Sequence, residues 1–472
     1  MTVANWMLPL LEVVVTSFGS TFRLLFAFAI VGTYLREHCS GVTALTFPSK
    51  NLNRGRNLPV TFPTSIMSQL NDKTDVPLTV SSIRAENPEL EFSSDDSTFK
   101  THLIVHFDIN ETILLGDQAG GDSLLDSWHK MFAKSAFCKI PDIDSGNEQG
   151  STSWEETQNL RPTHWWDGQE IGSETTTPPL YTGWEWPDRC CPYYRTAYKE
   201  ISKNFVDHHG KVYRELFDKC QQVRKHSQAS AMPSGSHILP ALYHTLHHLI
   251  TNEQIQPFSV VFRTFGDDLP DVAEAVTAFA EGKHPEYPDV KYPSFSISRD
   301  CLFQGRWKQL PDKGEMVYQL WDLDETNVIA SGDYEILHLL EQHRMCGICD
   351  DYPTWAANKW HPTTGKPVWV PRRVQNPTTQ LFDHHILFDD NIHNLKNIKN
   401  DGIACIRQQT EIDHSFVTLD CQRMHQLQGI HLVRVPTIEP VLNDNWFVMQ
   451  IAKARSRLVR RLLDEGQTPA TK

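Results

Sequence analysis

The chain has 472 residues and a mass of 54.1 kDa, which is too long for one ordinary domain and excludes small disulfide scaffolds. Its 44 Lys and Arg residues face 58 Asp and Glu residues, a net charge of −14 that disfavours a nucleic-acid-binding protein, because such proteins need a basic surface. Hydrophobic residues make up 40% of the chain, enough for a sizeable core, and its ten cysteines are too sparse for a disulfide framework and favour a reducing compartment.

A hydrophobic segment occupies residues 7–35 and is interrupted only by Glu12 and Arg23. Its uninterrupted part, 24–35, is shorter than the roughly 20 residues that cross a bilayer as a helix. Residues 1–40 form a targeting or anchoring segment, a helix that docks on the body, or an extension outside the fold, and the sequence leaves these alternatives open. Membrane or organelle association is expected only through residues 7–35. The localisation is otherwise unknown, with an intracellular location favoured.

Residues 41–100 are rich in Ser, Thr, Pro and Asn without a sustained helical or strand period, which indicates a linker or a loosely packed arm. The folded body is predicted over residues 101–472. Three apolar runs of strand length end in polar residues. These runs are 102–107, 258–262 and 386–388. Because ligands bind beyond the carboxyl ends of strands in open α/β sheets, the polar residues are predicted to meet in one crevice.

Segments with apolar residues spaced by three and four predict helices around these strands. They are 122–132, 211–225, 237–250 and 446–463. Buried strands that alternate with helices predict an α/β fold with a doubly wound parallel sheet. Two long insertions, at about 135–205 and 267–380, are interpreted as cap material over the crevice. Their many Trp side chains either stack on a ligand or build a small local core.

The polar residues that follow the three strands resemble motifs I, II and IV of the haloacid-dehalogenase-like (HAD) superfamily. In chain order they are Asp108-Ile109-Asn110-Glu111-Thr112, Thr264 and Asp389-Asp390. The resemblance covers residues 101 to about 410. It implies a HAD-like Rossmannoid core with an inserted cap, and phosphoryl transfer through an aspartyl-phosphate with Mg²⁺.

The chemistry of these side chains suits phosphoryl transfer. Asp108 is the candidate nucleophile, because a carboxylate at a strand tip can attack phosphorus and form an acyl-phosphate. Mg²⁺ prefers carboxylate and carbonyl oxygens, and Asp108 and Asp389 fit as ligands, with the backbone carbonyl of Asn110 added by the resemblance. Asp390 would bind the ion directly or hold a metal-bound water. Thr264 would donate its hydroxyl to a phosphoryl oxygen.

Two assignments have rivals in the sequence. The resemblance implies a lysine before the third strand that stabilises the developing charge. Lys359 and Lys366 both stand there, and Lys366 is preferred. The segment 322–326 (Asp-Leu-Asp-Glu-Thr) is a fuller match to motif I than the residues at 108. It lies too close to Asp389 for the strands and helices that must intervene, so it is interpreted as a strand and turn of the cap.

One departure from the superfamily bears directly on function. Its phosphatases commonly carry a second Asp where this chain has Asn110. An amide cannot carry a proton near neutral pH, so it forfeits the roughly 10²- to 10⁴-fold that general acid–base catalysis contributes. The intact nucleophile, Thr264 and the Asp pair still predict a hydrolase or transferase acting on a small phosphorylated metabolite. The alternative is a non-catalytic binding or scaffold protein that keeps the same crevice.

Two further patterns each have two interpretations. Cys346-x-x-Cys349 is either half of a zinc site or a pair of ordinary buried thiols, and no second pair follows at the usual spacing. Asp350-Asp351 either approaches the crevice or forms a solvated turn.

Overall fold

A computed structural model describes the protein in separate stretches of the chain. They are residues 101–115, 123–139, 161–172, 187, 189–193, 202–228, 238–252, 255–309, 316–372, 382–392, 402–436 and 438–465. The predicted hydrophobic segment and linker of residues 1–100 lie outside the described residues. Much of the predicted insertion at 135–205 does so too.

The strands of the described residues belong to one large sheet and two small ones. In chain order they are β1 (Thr101–Asp108), β2 (Ala136–Lys139), β3 (His164–Trp165), β4 (Cys190–Pro192), β5 (Phe258–Thr264), β6 (Leu302–Gln309), β7 (Met316–Asp322), β8 (Val328–Ser331), β9 (Met345–Cys349), β10 (Lys366–Val370), β11 (Phe382–Asp389), β12 (Ala404–Gln409), β13 (Phe416–Thr418) and β14 (Leu432–Arg434). The large sheet has the order β14-β11-β1-β5-β9-β6-β7-β8. Its strands from β14 to β6 run parallel, and β7 and β8 are antiparallel additions at one edge. The mostly parallel sheet confirms the predicted α/β class.

The chain winds away from β1 in two directions. β5 and β9 lie in succession on one side of β1, whereas β11 and β14 lie on the other side. The strand order therefore reverses between β1 and β11. In open α/β sheets, such a switch point forms a crevice beyond the carboxyl ends of the strands, where ligands bind.

Helices cover both faces of the large sheet. In chain order they are α1 (Leu124–Ala133), α2 (Arg214–Gln228), α3 (Pro240–Thr251), α4 (Leu269–Ala280), α5 (Asp333–Gln342), α6 (Tyr352–Ala357), α7 (Cys421–Met424), α8 (Ile438–Leu442) and α9 (Trp446–Asp464). Successive side chains of a strand point to opposite faces. Leu103 and Val105 of β1 join a hydrophobic cluster with α3, α4 and α9. Ile104 joins a different cluster with α5. The run of apolar residues in β1 follows from this burial on both sides.

The predicted insertion at 267–380 supplies much of the large sheet. β6, β7, β8 and β9 all lie within it, and β9 pairs directly with β5. The close packing of β9 against α4 depends on Gly347, because a Cβ there would lie 2.5 Å from Cδ1 of Leu269. This part of the chain therefore extends the core sheet in addition to any cap that it contributes.

The described parts of the insertion at 135–205 form a small antiparallel sheet with the order β3-β2-β4. Trp165 of β3 is fully buried. Its ring packs edge-on against Phe205 and Tyr213, with centroid distances of 6.2 and 5.2 Å. This ring therefore helps to build a local core, which is one of the two roles expected for the Trp side chains. The third sheet has the order β10-β12-β13.

The prediction of membrane or organelle association through residues 7–35 needs correction. Among the described residues, no helix combines the length and the apolar character needed to cross a membrane. The segment 7–35 itself lies outside those residues.

A buried carboxyl group near the start of β11 has a strongly raised pKa. Asp383 is 2% exposed, and burial, together with the negative charge of Glu341, raises the pKa of its side chain to about 8. His102 Nδ1 lies 3.7 Å from its Oδ1, yet burial lowers the pKa of that imidazole to about 4. The imidazole is therefore neutral at pH 7 and does not compensate the carboxylate.

This raised pKa predicts that stability falls as the pH rises from about 4 to about 8, because the folded state keeps a proton that the unfolded chain has lost. We expect Asp383→Asn to weaken this dependence and to be about 1–3 kcal/mol more stable than the wild type at pH 8. Urea unfolding at pH 5 and pH 8 measures the effect, with the exposed Asp218→Asn as the control. Equal pH dependence in the wild type and Asp383→Asn would contradict the prediction.

Candidate functional site

The polar ends of β1, β5 and β11 lie side by side at one edge of the large sheet. Asp108 ends β1, Thr264 ends β5 and Asp389 ends β11. In the ladder between β1 and β5, Asp108 lies opposite Arg263, the neighbour of Thr264. The site therefore lies at the switch point of the sheet, where the sequence predicts a crevice.

Three carboxylates form a compact cluster there. Asp108, Asp389 and Asp390 each offer an oxygen atom, and these atoms lie within 4.8 Å of one another. All three side chains are buried. Among the described residues, this is the one group of His, Cys, Asp or Glu side chains that is arranged to hold a metal ion.

Burial and nearby negative charge disfavour the charged forms of Asp108 and Asp390. Burial raises the pKa of Asp108 well above its ordinary value, Lys366 opposes the shift, and Asp389 and Asp390 add to it. Burial also raises the pKa of Asp390 to about 6, against the opposing effect of Lys134. The cluster thus carries more negative charge than its surroundings fully stabilise.

Lys366 provides the main positive charge beside Asp108. Its Nζ donates hydrogen bonds to Oδ1 of Asp108 and, over 2.8 Å, to Oδ2 of Asp389. Burial lowers the pKa of this ammonium group, but the two carboxylates outweigh burial and raise it. Lys359, the rival in the sequence, has an exposed side chain. The lysine at the start of β10 is therefore the one that meets the cluster.

A tight turn after β1 fixes the geometry of the nucleophile candidate. The carbonyl of Ile109 accepts hydrogen bonds from the backbone N–H groups of Ile113 and Leu114. Within this turn, Thr112 Oγ1 donates to Oδ2 of Asp108 over 3.0 Å and accepts from the backbone N–H of Asp390 over 3.1 Å. One hydroxyl thus ties the end of β1 to the end of β11.

A buried ion-pair network that the sequence analysis missed adjoins the cluster. Lys134, just after α1, pairs with both Glu111 and Asp390. Lys130 Nζ lies 3.0 Å from Oε1 of Glu111. Burial opposes ionisation of Glu111, but the two lysines outweigh it and lower its pKa to about 2. The one signal in the sequence is the spacing of four between the two lysines, since Lys130 lies in the predicted helix 122–132 and Lys134 lies two residues beyond its end.

Glu111 has a strained backbone conformation. Its φ angle is 57°, in the left-handed region that residues other than Gly, Asn and Asp rarely adopt. From this backbone position the Glu111 carboxylate pairs with Lys130 and Lys134.

Asn110 and Thr264 lie next to the cluster with another carboxylate, Asp268. Nδ2 of Asn110 donates to Oδ2 of Asp268 over 2.8 Å. Oδ1 of Asn110 is buried and has no hydrogen-bond partner among the described residues. Thr264 Oγ1 accepts from the backbone N–H of Gly266 over 2.8 Å, which leaves its hydroxyl hydrogen for another acceptor.

Asp350 and Asp351 are buried, so neither belongs to a solvated turn. Asp350 pairs with Arg263, whose Nε lies 2.8 Å from its Oδ2, and accepts a hydrogen bond from the hydroxyl of Tyr318. Asp351 accepts from the backbone N–H groups of Trp307 and Thr354. Their carboxylates are used for structure beneath and beside the site. No pattern in the sequence identifies Arg263 as the partner of Asp350.

The rival motif at 322–326 lies away from the cluster. β7 is separated from β1 in the sheet by β5, β9 and β6, so Asp322 lies four strands away from Asp108. Oδ2 of Asp322 accepts hydrogen bonds from Thr326 Oγ1 and Asn327 Nδ2, over 2.6 and 2.7 Å. These bonds close a hairpin between β7 and β8, as expected for a strand and turn.

The structure does not join the two cysteines of Cys346-x-x-Cys349 into a site. Both lie in β9, three positions apart, so their side chains point to opposite faces of the sheet. Cys346 belongs to the cluster of Ile104, whereas Cys349 packs against the cluster of Leu103. Two thiolates in this arrangement cannot bind one ion together.

Of the residues selected from the sequence, the structure brings Asp108, Asp389, Asp390 and Lys366 into one contact group. Thr264 and Asn110 border that group, and both contact the loop that follows β5. Comparisons with known protein families, with functionally characterised proteins and with solved structures find no match to this chain. The functional interpretation therefore rests on the residues and their geometry.

Proposed function

We propose that the protein is a Mg²⁺-dependent phosphoryl hydrolase or transferase that acts on a small phosphorylated metabolite through an aspartyl-phosphate at Asp108. The proposal rests on one observation, the buried group of Asp108, Asp389, Asp390 and Lys366 at the switch point of the sheet. A carboxylate held at a strand tip beside a fixed ammonium group is suited to attack a phosphoryl group and to form a covalent intermediate.

The donor set of the cluster fits Mg²⁺. Its three carboxylates present oxygen atoms within 4.8 Å of one another, and Mg²⁺ binds through few carboxylates while retaining several waters. Burial, and to a smaller extent the neighbouring carboxylates, raise the pKa values of Asp108 and Asp390, and a divalent cation would favour their charged forms. Asp108, Asp389 and Asp390 would hold the ion. When bound, Mg²⁺ supplies polarisation of a phosphoryl oxygen and screens the repulsion between nucleophile and substrate.

The side chains around Asp108 prepare it for attack. Lys366 favours its ionised form, and the hydrogen bond from Thr112 fixes the direction of Oδ2. The hydroxyl hydrogen of Thr264 is available for a phosphoryl oxygen. These preorganised donors and charges stabilise negative charge as it moves during the transfer.

The arrangement of the sheet supports a HAD-like core within this proposal. The strands that carry the three motifs, β1, β5 and β11, are neighbours, and their order reverses between β1 and β11. The small sheet of β2, β3 and β4 interrupts the chain between β1 and β5, as an inserted cap would.

A non-catalytic binding or scaffold protein is the second candidate, and Asn110 favours it. The amide replaces the carboxylate that phosphatases of the superfamily commonly use for proton transfer, so the crevice could bind a phosphorylated ligand without turnover.

Beryllofluoride, which mimics a phosphoryl group on a carboxylate, distinguishes the two candidates. With Mg²⁺, we expect it to raise the unfolding temperature of the full chain by at least about 3 °C, because a ligand that binds only the folded state stabilises it. Mg²⁺ alone and beryllofluoride alone are the controls. In parallel, phosphate release is measured over a panel of phosphorylated metabolites. A metabolite that stabilises the protein, without phosphate release and without any beryllofluoride effect, would support the binding protein and contradict our proposal.

A further inference from the structure

The loop after β5 brings a carboxylate to Asn110. Asp268 directly precedes α4, a position where an Asp side chain usually accepts a hydrogen bond from a backbone N–H of the first helical turn. The Asp268 side chain makes no such capping bond. Its Oδ2 instead accepts from Nδ2 of Asn110 over 2.8 Å. The carboxylate is thus turned away from its own helix and toward the end of β1.

Three polar side chains surround one small space above Gly266. A Cβ built on Gly266 would lie 3.0 Å from Asp268 Oδ2, 3.5 Å from Thr264 Oγ1 and 3.6 Å from Asn110 Nδ2. Thr264 Oγ1 and Asp268 Oδ2 therefore both border this space. Because glycine has no side chain, this space stays open beside the hydroxyl that we assign to a phosphoryl oxygen.

Asn110 and Asp268 form a complementary pair. A carboxylate at position 110 would place two anions in contact, and one of them would have to keep a proton. The amide avoids this repulsion by donating to Oδ2. Among the described residues, no donor hydrogen-bonds to the other oxygen, Oδ1 of Asp268, so it can receive a proton from a reactant.

We infer that Asp268 carries the proton that Asn110 cannot carry, and that it is the general acid and base of the hydrolytic reaction. The inference rests on the proposed function. Asp268 lies in the loop after β5, whereas motif I of the superfamily lies in the loop after β1. Asn110 then serves as the positioning residue that orients this carboxylate.

The two half-reactions balance with this assignment. In the first, an oxygen of Asp108 bonds to phosphorus, the bond from phosphorus to the leaving-group oxygen breaks, and Asp268 gives its proton to that oxygen. In the second, a water attacks the aspartyl-phosphate, Asp268 takes one proton from it, and the bond from phosphorus to Asp108 breaks. Inorganic phosphate leaves, and both side chains return to their starting states.

The test compares Asp268→Asn with the wild type on a metabolite that the wild type hydrolyses. We expect phosphate release to fall by about 10²-fold, and the phosphoenzyme, trapped by acid quench after reaction with ³²P-labelled substrate, to accumulate. The exposed neighbour variant Asp267→Asn should behave as the wild type. The double variant Asn110→Asp/Asp268→Asn moves the carboxylate across the same hydrogen bond, and we expect it to recover at least about tenfold over Asp268→Asn.

The outcomes distinguish failure of the role assigned to Asp268 from failure of the proposed function. If the wild type forms a phosphoenzyme and Asp268→Asn turns over at the wild-type rate, Asp268 is not the proton carrier and the proposed function stands. If neither protein forms a phosphoenzyme and beryllofluoride stabilises neither, the proposed function fails and the role of Asp268 fails with it. A folded but inactive Asp268→Asn that the exchanged pair does not rescue also overturns the inference, because a structural defect then explains the loss.

Discussion

Asp108→Asn is expected to abolish both phosphate release and the stabilisation by Mg²⁺ with beryllofluoride, with a loss in kcat of at least about 10³-fold. The amide has no anionic oxygen to attack phosphorus, and it removes one of the three carboxylates within 4.8 Å of one another. The folded state should persist. Burial raises the pKa of Asp108, so the charged form is unfavourable there, and Lys366 keeps Asp389 as a partner. Thermal unfolding without ligands checks this point.

Asp322→Asn is the matched control, because Asp322 begins the rival sequence Asp-Leu-Asp-Glu-Thr. Its carboxylate closes the hairpin between β7 and β8, four strands away from β1, through Thr326 and Asn327. We expect this variant to retain wild-type phosphate release and beryllofluoride binding. Loss of activity in Asp322→Asn alone would show that the nucleophile belongs to the other motif.

The strands that carry the site could be predicted because their burial produces a simple sequence pattern. β1, β5 and β11 are covered on both faces, so each reads as a short apolar run, and Asp108, Thr264 and Asp389 stand at the positions where the runs end. Since the carboxyl ends of neighbouring parallel strands share an edge, their proximity follows from the α/β class alone.

Other parts of the fold produce no such sequence pattern. β9 has the sequence Met-Cys-Gly-Ile-Cys, which indicates a thiol site as readily as a strand, and Gly347 is explained only by the approach of Leu269. The sequence predicts a cap where β6 to β8 lie, because no local pattern shows that a hairpin joins the edge of a distant sheet. The roles of Lys134 and Asp268 depend on where a helix and a loop pack, which is tertiary information.

The charges of the site come from different parts of the chain and depend on one another. Lys366 reaches Asp108 and Asp389 from β10, whereas Lys134 reaches Asp390 from the segment after α1. Neither lysine lies on the strands that carry the carboxylates. The segments between those strands therefore do more than cover the crevice, because they supply the cations without which three buried carboxylates could not share it.

Arg263→Met is expected to lower the free energy of unfolding by about 3–5 kcal/mol, the largest stability effect that we predict. Arg263 is fully buried, and its Nε donates to Oδ2 of Asp350 over 2.8 Å. The attraction of Asp350 outweighs burial and raises the pKa of the guanidinium. Without it, Asp350 becomes a buried carboxylate that keeps the hydroxyl of Tyr318 but loses its counter-charge. Urea unfolding of both proteins at pH 7 measures the loss.

The exposed pair of Arg299 and Asp324, whose atoms lie 2.6 Å apart, provides the control for this prediction. Solvent screens that pair, so Arg299→Met should cost less than about 1 kcal/mol. The double variant Arg263→Met/Asp350→Asn should recover part of the loss, because it no longer leaves an unpaired charge in the interior. If Arg263→Met is no less stable than Arg299→Met, the buried pair does not hold β5 and the residues after β9 together. The end of β5 beside Asp108 would then owe its position to backbone pairing alone.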